Sequence, residues 1–176
     1  MSVTHITNRM VERCEAFVGS AMQRELATLL AEGAILVAHN AKFDIEMLQH
    51  EGLEVPVSID TFKLSHYLDI TGTIPRHNLQ YLRYYHDLVV DNASAHDALG
   101  DVRVLRALFD FYFSTMLEKT GDETVVLREM LEVSARPILM KKFPFGKYAG
   151  KEVKQVAVED PGYLVWMLNQ KIMTRE

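Results

Sequence analysis

Only two segments of this chain read as strands buried on both faces, and both are embedded among helices. Residues 34–38 (Ala-Ile-Leu-Val-Ala) form a short continuous apolar run, and residues 55–60 (Val-Pro-Val-Ser-Ile-Asp) form a second. Apolar runs of that length are the pattern of parallel-sheet strands. Helical spacing surrounds them: residues 10–32 up to a stop at Gly33, 41–51 up to Gly52, 61–68, 78–86, and 95–119. The last carries Leu99, Val102, Leu105, Leu108, Tyr112 and Met116 at amphipathic intervals. Helices alternating with buried strands imply an α/β layer architecture. A two-stranded parallel sheet cannot cover both of its faces. Residues 34–38 and 57–60 are therefore expected to form at most a short pair in an incomplete sheet, with an open edge that invites another chain.

At 176 residues and 48% apolar content the chain can bury a core, as one domain with a small appendage. The appendage is marked by charge. Residues 136–154 hold Arg136, Lys141, Lys142, Lys147, Lys151 and Lys154 against the single acid Glu152, in a chain whose net charge is −5. That balance disfavours a general electrostatic nucleic-acid binder but permits a local basic patch. The expected division is residues 1–134 as the main domain and 135–176 as a small α+β module. Phe143-Pro-Phe-Gly-Lys-Tyr-Ala-Gly-Lys151 suggests a β-hairpin, and a closing helix over 161–168 has Pro161 in its first turn. Cys14 is the sole cysteine, which excludes an intrachain disulfide and a cysteine-based zinc site. No signal peptide or membrane-length apolar run is visible, so a cytoplasmic setting without membrane attachment is expected.

Two constellations carry chemistry. Asp44 falls in the first turn of a helix that follows a buried strand, where the dipole and free N–H groups favour an ionised carboxylate. The carboxyl end of such a strand is also where α/β sites form. A plain helix-start role is the alternative. In the run Ser94-Ala-His-Asp-Ala-Leu-Gly-Asp101, His96 lies five residues before Asp101, about 140° away on an ideal helix. The two can face one cluster only if His96 precedes the helix, which a capping box of Ser94 with Asp97 would allow. His96 then suits a general base, the alternative being a solvated surface residue. Carboxylates beside a base are the minimum for metal-assisted phosphodiester hydrolysis. In the basic segment, Lys147, Lys151 and Lys154 could neutralise phosphates while Phe145 or Tyr148 stacks a base, or they could simply be solvated.

Together these segments resemble the DEDDh 3′–5′ exonuclease family, which includes proofreading epsilon subunits. The likeness rests on Val37-Ala-His39 followed by Asn40-Ala-Lys-Phe43-Asp44, and on His96-Asp-Ala-Leu-Gly-Asp101 followed by Val102-Arg-Val-Leu. Thr4 to Asn8, Asp60-Thr61 and His77-Asn-Leu-Gln-Tyr-Leu82 sit where that family has matching elements. Phe145-Gly-Lys147 and Asp160-Pro-Gly-Tyr163 are similar to the C-terminal domain of exodeoxyribonuclease X-like proteins. The resemblance implies a ribonuclease H-like fold, Mg²⁺ or Mn²⁺ in a two-metal site, and removal of nucleotides from 3′ ends. By carry-over Asp44 and Asp101 are metal ligands, His96 is the base, and Asn40 and Phe43 lie beside the terminal nucleotide. Lys147 and Lys151 are the candidate substrate contacts of the C-terminal module. The family's first motif, an Asp-x-Glu on the central strand, is not found upstream of Thr4. The expectation is therefore a chain truncated at its N-terminus with an incomplete metal site. Single-stranded DNA is the expected substrate, in repair or replication proofreading, with a polymerase or a second copy as possible partner. A non-catalytic nucleic-acid-binding or interaction protein is the competing class.

Overall fold

The computed structural model describes residues 7–91, 98–139, 141–143 and 145–170. The two apolar runs become β1 (Leu36–Ala38) and β2 (Ser58–Asp60). They pair in parallel, Leu36 opposite Ser58, Val37 opposite Ile59 and Ala38 opposite Asp60. Between them runs α3 (Ala41–His50), the crossover that a parallel pair requires. After β2 come α4 (Thr61–Leu68), α5 (Leu79–Tyr85), α6 (Ala98–Thr120) and α7 (Glu123–Ala135).

These helices build the core on the β2 side. Along α6 the residues Gly100, Val104, Leu108, Tyr112 and Met116 are buried at four-residue intervals, a stripe one face wide. Leu108, Tyr112 and Met116 meet Ile59, Leu64, Leu82, Val126 and Met130 in one cluster. The outer side of β2 is closed by α7, whose Ser134 Oγ accepts the Asp60 N–H at 2.9 Å. Lys63 Nζ donates to the Ser134 carbonyl at 2.9 Å and ties α4 to the same corner. Among the described residues β1 has no strand on its other side, as its short length and the strand deficit predict.

The helix expected over residues 10–32 is two pieces. Asn8–Val11 forms a single turn, α1, and α2 spans Ala21–Ala31. No helix runs through residues 12–20, and Gly19 near the end of that stretch adopts φ +84, a left-handed conformation incompatible with a continuous helix. Ser20 then starts a new one: its side chain accepts from Gln23 N at 3.1 Å, while Gln23 Oε1 accepts from Gly19 N at 2.6 Å. Ser20 thus caps the new helix, with Gln23 reaching back to the residue before the cap, a start signal inside what periodicity alone reads as one helix. Helix α7 has no counterpart among the helices that the apolar spacing predicts. Its signal is present in Asp122, whose carboxylate accepts from Thr124 N and Val125 N.

A second, smaller cluster joins Phe143, Val156 and Met167, with Tyr148, Val153, Tyr163 and Leu164 against it. It is built by α8 (Val153–Glu159) and α9 (Pro161–Asn169). The expected hairpin reduces to single bridges, Lys142 with Glu152 and Phe143 with Ala149. Gly146 and Gly150 take the left-handed turns of this segment, with φ +80 and +82. Full burial of one such side chain contributes roughly 1.5–3 kcal/mol, so a core this small leans on polar support. Asp160 supplies it, accepting from Tyr163 N, Tyr148 Oη and Lys147 Nζ.

Candidate active site

The carboxyl end of β1 delivers the chain to Asn40, which stands at φ 66, ψ 56, left-handed. Asn tolerates this region better than most residues. The conformation is held by Asp60 at the end of β2. Its buried carboxylate accepts from Asn40 N at 2.9 Å, Ala41 N at 3.1 Å and Phe62 N at 2.9 Å. One side chain thus satisfies free N–H groups at the starts of both α3 and α4. With that work done by Asp60, the Asn40 side chain makes no capping bond of its own. Just inside α3, Phe43 is 65% exposed, and Asp44 sits in the first turn. The Asp44 carboxyl is pushed above the ordinary carboxylate value, first by partial desolvation and further by the nearby Asp60, against its own backbone N–H.

Asp101 lies in the first turn of α6. Gln80, in the first turn of α5, donates to it from Nε2 to Oδ1 at 2.5 Å. The residue after Asp101, Val102, lines a groove of about 200 Å³ together with Val37, Leu105, Arg106 and Phe109. That groove sets the start of α6 beside β1, the strand whose carboxyl end carries Asn40 and Asp44. Asn40, Phe43 and Asp44 are therefore gathered at one helix start, and Asp101 is at another flanking the same strand. His96, with the capping box expected of Ser94 and Asp97, lies outside the described residues.

Two carboxylates are the right donors for a hard divalent cation. Mg²⁺ is commonly held by one or two carboxylates, with waters and a substrate phosphate completing its shell. Asp44 and Asp101 fit one such ion in donor chemistry. Among the described residues no group of three His, Cys, Asp or Glu is placed to hold a metal, so a bridged pair of ions does not fit on them.

Sequence spacing gave no hint of the histidine cluster beside α4. His39 Nε2 lies 2.8 Å from the His77 carbonyl and its Nδ1 lies 2.9 Å from Thr61 Oγ1. The carbonyl can only accept, which fixes the proton on Nε2. Burial, offset by that bond and by Asp60, lowers the His39 pKa and keeps the ring neutral. His77 Nδ1 meets Ser65 Oγ at 2.8 Å, and its ring stacks on His66. Lys141 Nζ donates to the His66 carbonyl at 3.2 Å and to the Asp69 carbonyl. The cluster therefore buttresses the end of β1 and anchors the chain entering the C-terminal segment.

The candidate substrate lysines already have partners. Lys147 Nζ pairs with Asp160 at 3.1 Å and Lys151 Nζ with Glu159 at 3.3 Å. Both ammonium groups also lie over the Tyr148 ring, 4.7 and 5.4 Å from its centre. Phe145 and Trp166, in the same module, are each about half exposed.

A parallel strand pair joined by a crossover helix and packed against further helices, together with the family match, defines an α/β domain of ribonuclease H-like exonuclease fold with a small C-terminal module; among the described residues its sheet has two strands. The family model described as Exonuclease matches residues 1–109, and the one described as Exodeoxyribonuclease X-like C-terminal matches residues 143–171. The chain belongs to the exonuclease family. It is 41% identical over 66 residues to Exodeoxyribonuclease 10 of Escherichia coli (strain K12), covering 36% of this chain and 30% of that protein. It is 36% identical over 74 residues to a DNA polymerase III subunit epsilon-like protein of Rhodobacter capsulatus, covering 40% of this chain and 10% of that protein. The chain thus spans less than a third of the length of these relatives. No solved structure matches it. None of the described helices is long and apolar enough to cross a membrane.

Proposed function

We propose that this chain is a metal-dependent 3′–5′ exonuclease that hydrolyses phosphodiesters at 3′ ends, with single-stranded DNA as its preferred substrate. Residues 1–134 form the nuclease domain and 135–176 a substrate-binding module. The observation that carries this reading is the conjunction at β1. Asp44 and Asp101 occupy helix starts flanking one strand, with Asn40 and Phe43 presented beside Asp44.

In this reading the terminal base rests on the exposed Phe43 ring, and the unengaged Asn40 side chain hydrogen-bonds the terminal nucleotide. Asp44 and Asp101 would hold Mg²⁺ or Mn²⁺, which would supply charge neutralisation at the phosphate and Lewis acidity toward the attacking water. His96 takes the proton of the attacking water. The water oxygen bonds to phosphorus, the P–O3′ bond breaks, and the released O3′ takes a proton, leaving a nucleoside 5′-monophosphate. Lys147 and Lys151 contact the phosphate backbone farther along the strand. Exposed ion pairs are weak, so Lys147 and Lys151 can turn to phosphates while Asp160 keeps its bonds from Tyr148 and Tyr163 N.

The test is digestion of single-stranded DNA labelled at either end, with Mg²⁺ or Mn²⁺ and with chelator. Stepwise shortening from the 3′ end that chelator stops is expected; shortening from the 5′ end, or endonucleolytic fragments, would contradict the proposal. Among the described residues no three metal-ligating side chains converge, and this favours one second reading, binding of 3′ ends without cleavage. Retention of the labelled strand with no products in any metal would establish that reading instead.

A further inference from the structure

We infer that Gln80 is a positioning residue for Asp101, orienting its carboxylate for a divalent cation. The inference rests on the reading of Asp101 as a metal ligand. Gln80 Nε2 donates to Asp101 Oδ1 at 2.5 Å, joining the first turn of α5 to the first turn of α6. Both ends of that link are fixed. Asn78 caps α5 by accepting from Tyr81 N at 2.8 Å, and the fully buried Leu82 seats the helix in the core. Among the described residues Oδ2 of Asp101 takes no hydrogen bond, so one oxygen is held and the other is left for a ligand.

Packing does not account for a glutamine here. Its Oε1 is buried and has no hydrogen-bond partner, a condition that disfavours the folded state. Reversing the amide would press the carbonyl against a carboxylate, so the orientation is forced by Asp101. Leucine or methionine would fill the same space without stranding an acceptor. What glutamine adds is the N–H aimed at Asp101. Outer partners of this kind orient a ligand and raise metal affinity, and losing one typically weakens binding ~10–100-fold.

The test is Mn²⁺ binding to the full chain, read from the spin-resonance signal of the free ion, alongside thermal unfolding of the same samples. Gln80→Met and Gln80→Leu are expected to unfold within about 2 °C of the wild type, or above it. Both should bind Mn²⁺ ~10-fold or more weakly, while Asp101→Asn loses binding outright. Should Asp101→Asn lose the ion and both Gln80 variants keep wild-type affinity, the inference fails and the ligand assignment stands. Affinity and melting temperature falling together in both Gln80 variants would make Gln80 a structural residue and overturn the inference as well. Wild-type binding unchanged in Asp101→Asn, or absent from the wild type, would overturn the assignment and the inference with it.

Discussion

His66 and His77 stack with ring centroids 3.6 Å apart, and acid is expected to destabilise the fold through them. Burial, then the charges of His77 and Lys141, push the His66 pKa from 6.5 down to about 4, against the pull of Asp69. Burial lowers His77 too, in spite of Asp69. A ring whose pKa is depressed in the folded state resists a proton that the unfolded chain accepts. Its contribution is therefore complete above pH 6.5 and is lost as pH falls from there towards about 4. At pH 4.5 a single group so shifted costs about 2.5 kcal/mol, which partial exposure trims to ~1.5–2.5 kcal/mol. The assay is urea unfolding of wild type and His66→Gln at pH 7 and pH 4.5, followed by circular dichroism. The variant keeps Asp69, His77, Lys141 and His39, so the difference isolates His66 and its coupling to His77. Between the two pH values the variant should lose ~1.5–2.5 kcal/mol less stability than the wild type. Equal losses in the two proteins would refute the argument.

In the C-terminal module, Lys147→Ala with Lys151→Ala should flatten the salt dependence of single-stranded DNA binding by about one unit of slope each at most; an unchanged slope would leave those lysines with Asp160 and Glu159. Gly146→Ala should destabilise the same module by about 1–3 kcal/mol, seen in the fluorescence of the single tryptophan, Trp166, because φ is +80 and the new Cβ would sit 2.7 Å from the Tyr163 hydroxyl. Wild-type stability there would show that Tyr163 can move, although it packs on Phe143 and Tyr148. Val102, on the groove beside the β1 edge that is uncovered among the described residues, is 58% exposed, and Leu99 three residues before it on α6 is 56% exposed, so light scattering should show concentration-dependent association that Leu99→Lys with Val102→Lys reduces. A wild-type chain that stays monomeric at high concentration would exclude the edge and groove as a contact surface.

The sequence by itself determined which segments are helix or strand wherever one pattern governs. β1 and β2 fall inside their apolar runs, α4 begins and ends where its spacing says, and Pro161 opens α9. It also determined the family, because Asn40 to Asp44 and His96 to Asp101 are short contiguous motifs whose likeness is legible without any tertiary structure. Local readings failed where backbone conformation overrode side-chain period: the first turn ends at Val11, and the next helix starts only after the left-handed Gly19, at the Ser20 cap. Tertiary structure alone decided the rest. Asp60 clamps α3 and α4 from 20 residues beyond Asn40, and His39, His66 and His77 form a cluster although nothing in their spacing suggests one. Gln80 meets Asp101 across 21 residues, and Lys147 and Lys151 find acids on α8 and at the start of α9. Each is a polar pairing between elements. The hydrophobic period records which face of a helix is buried, but which polar groups meet is set only once the helices have packed.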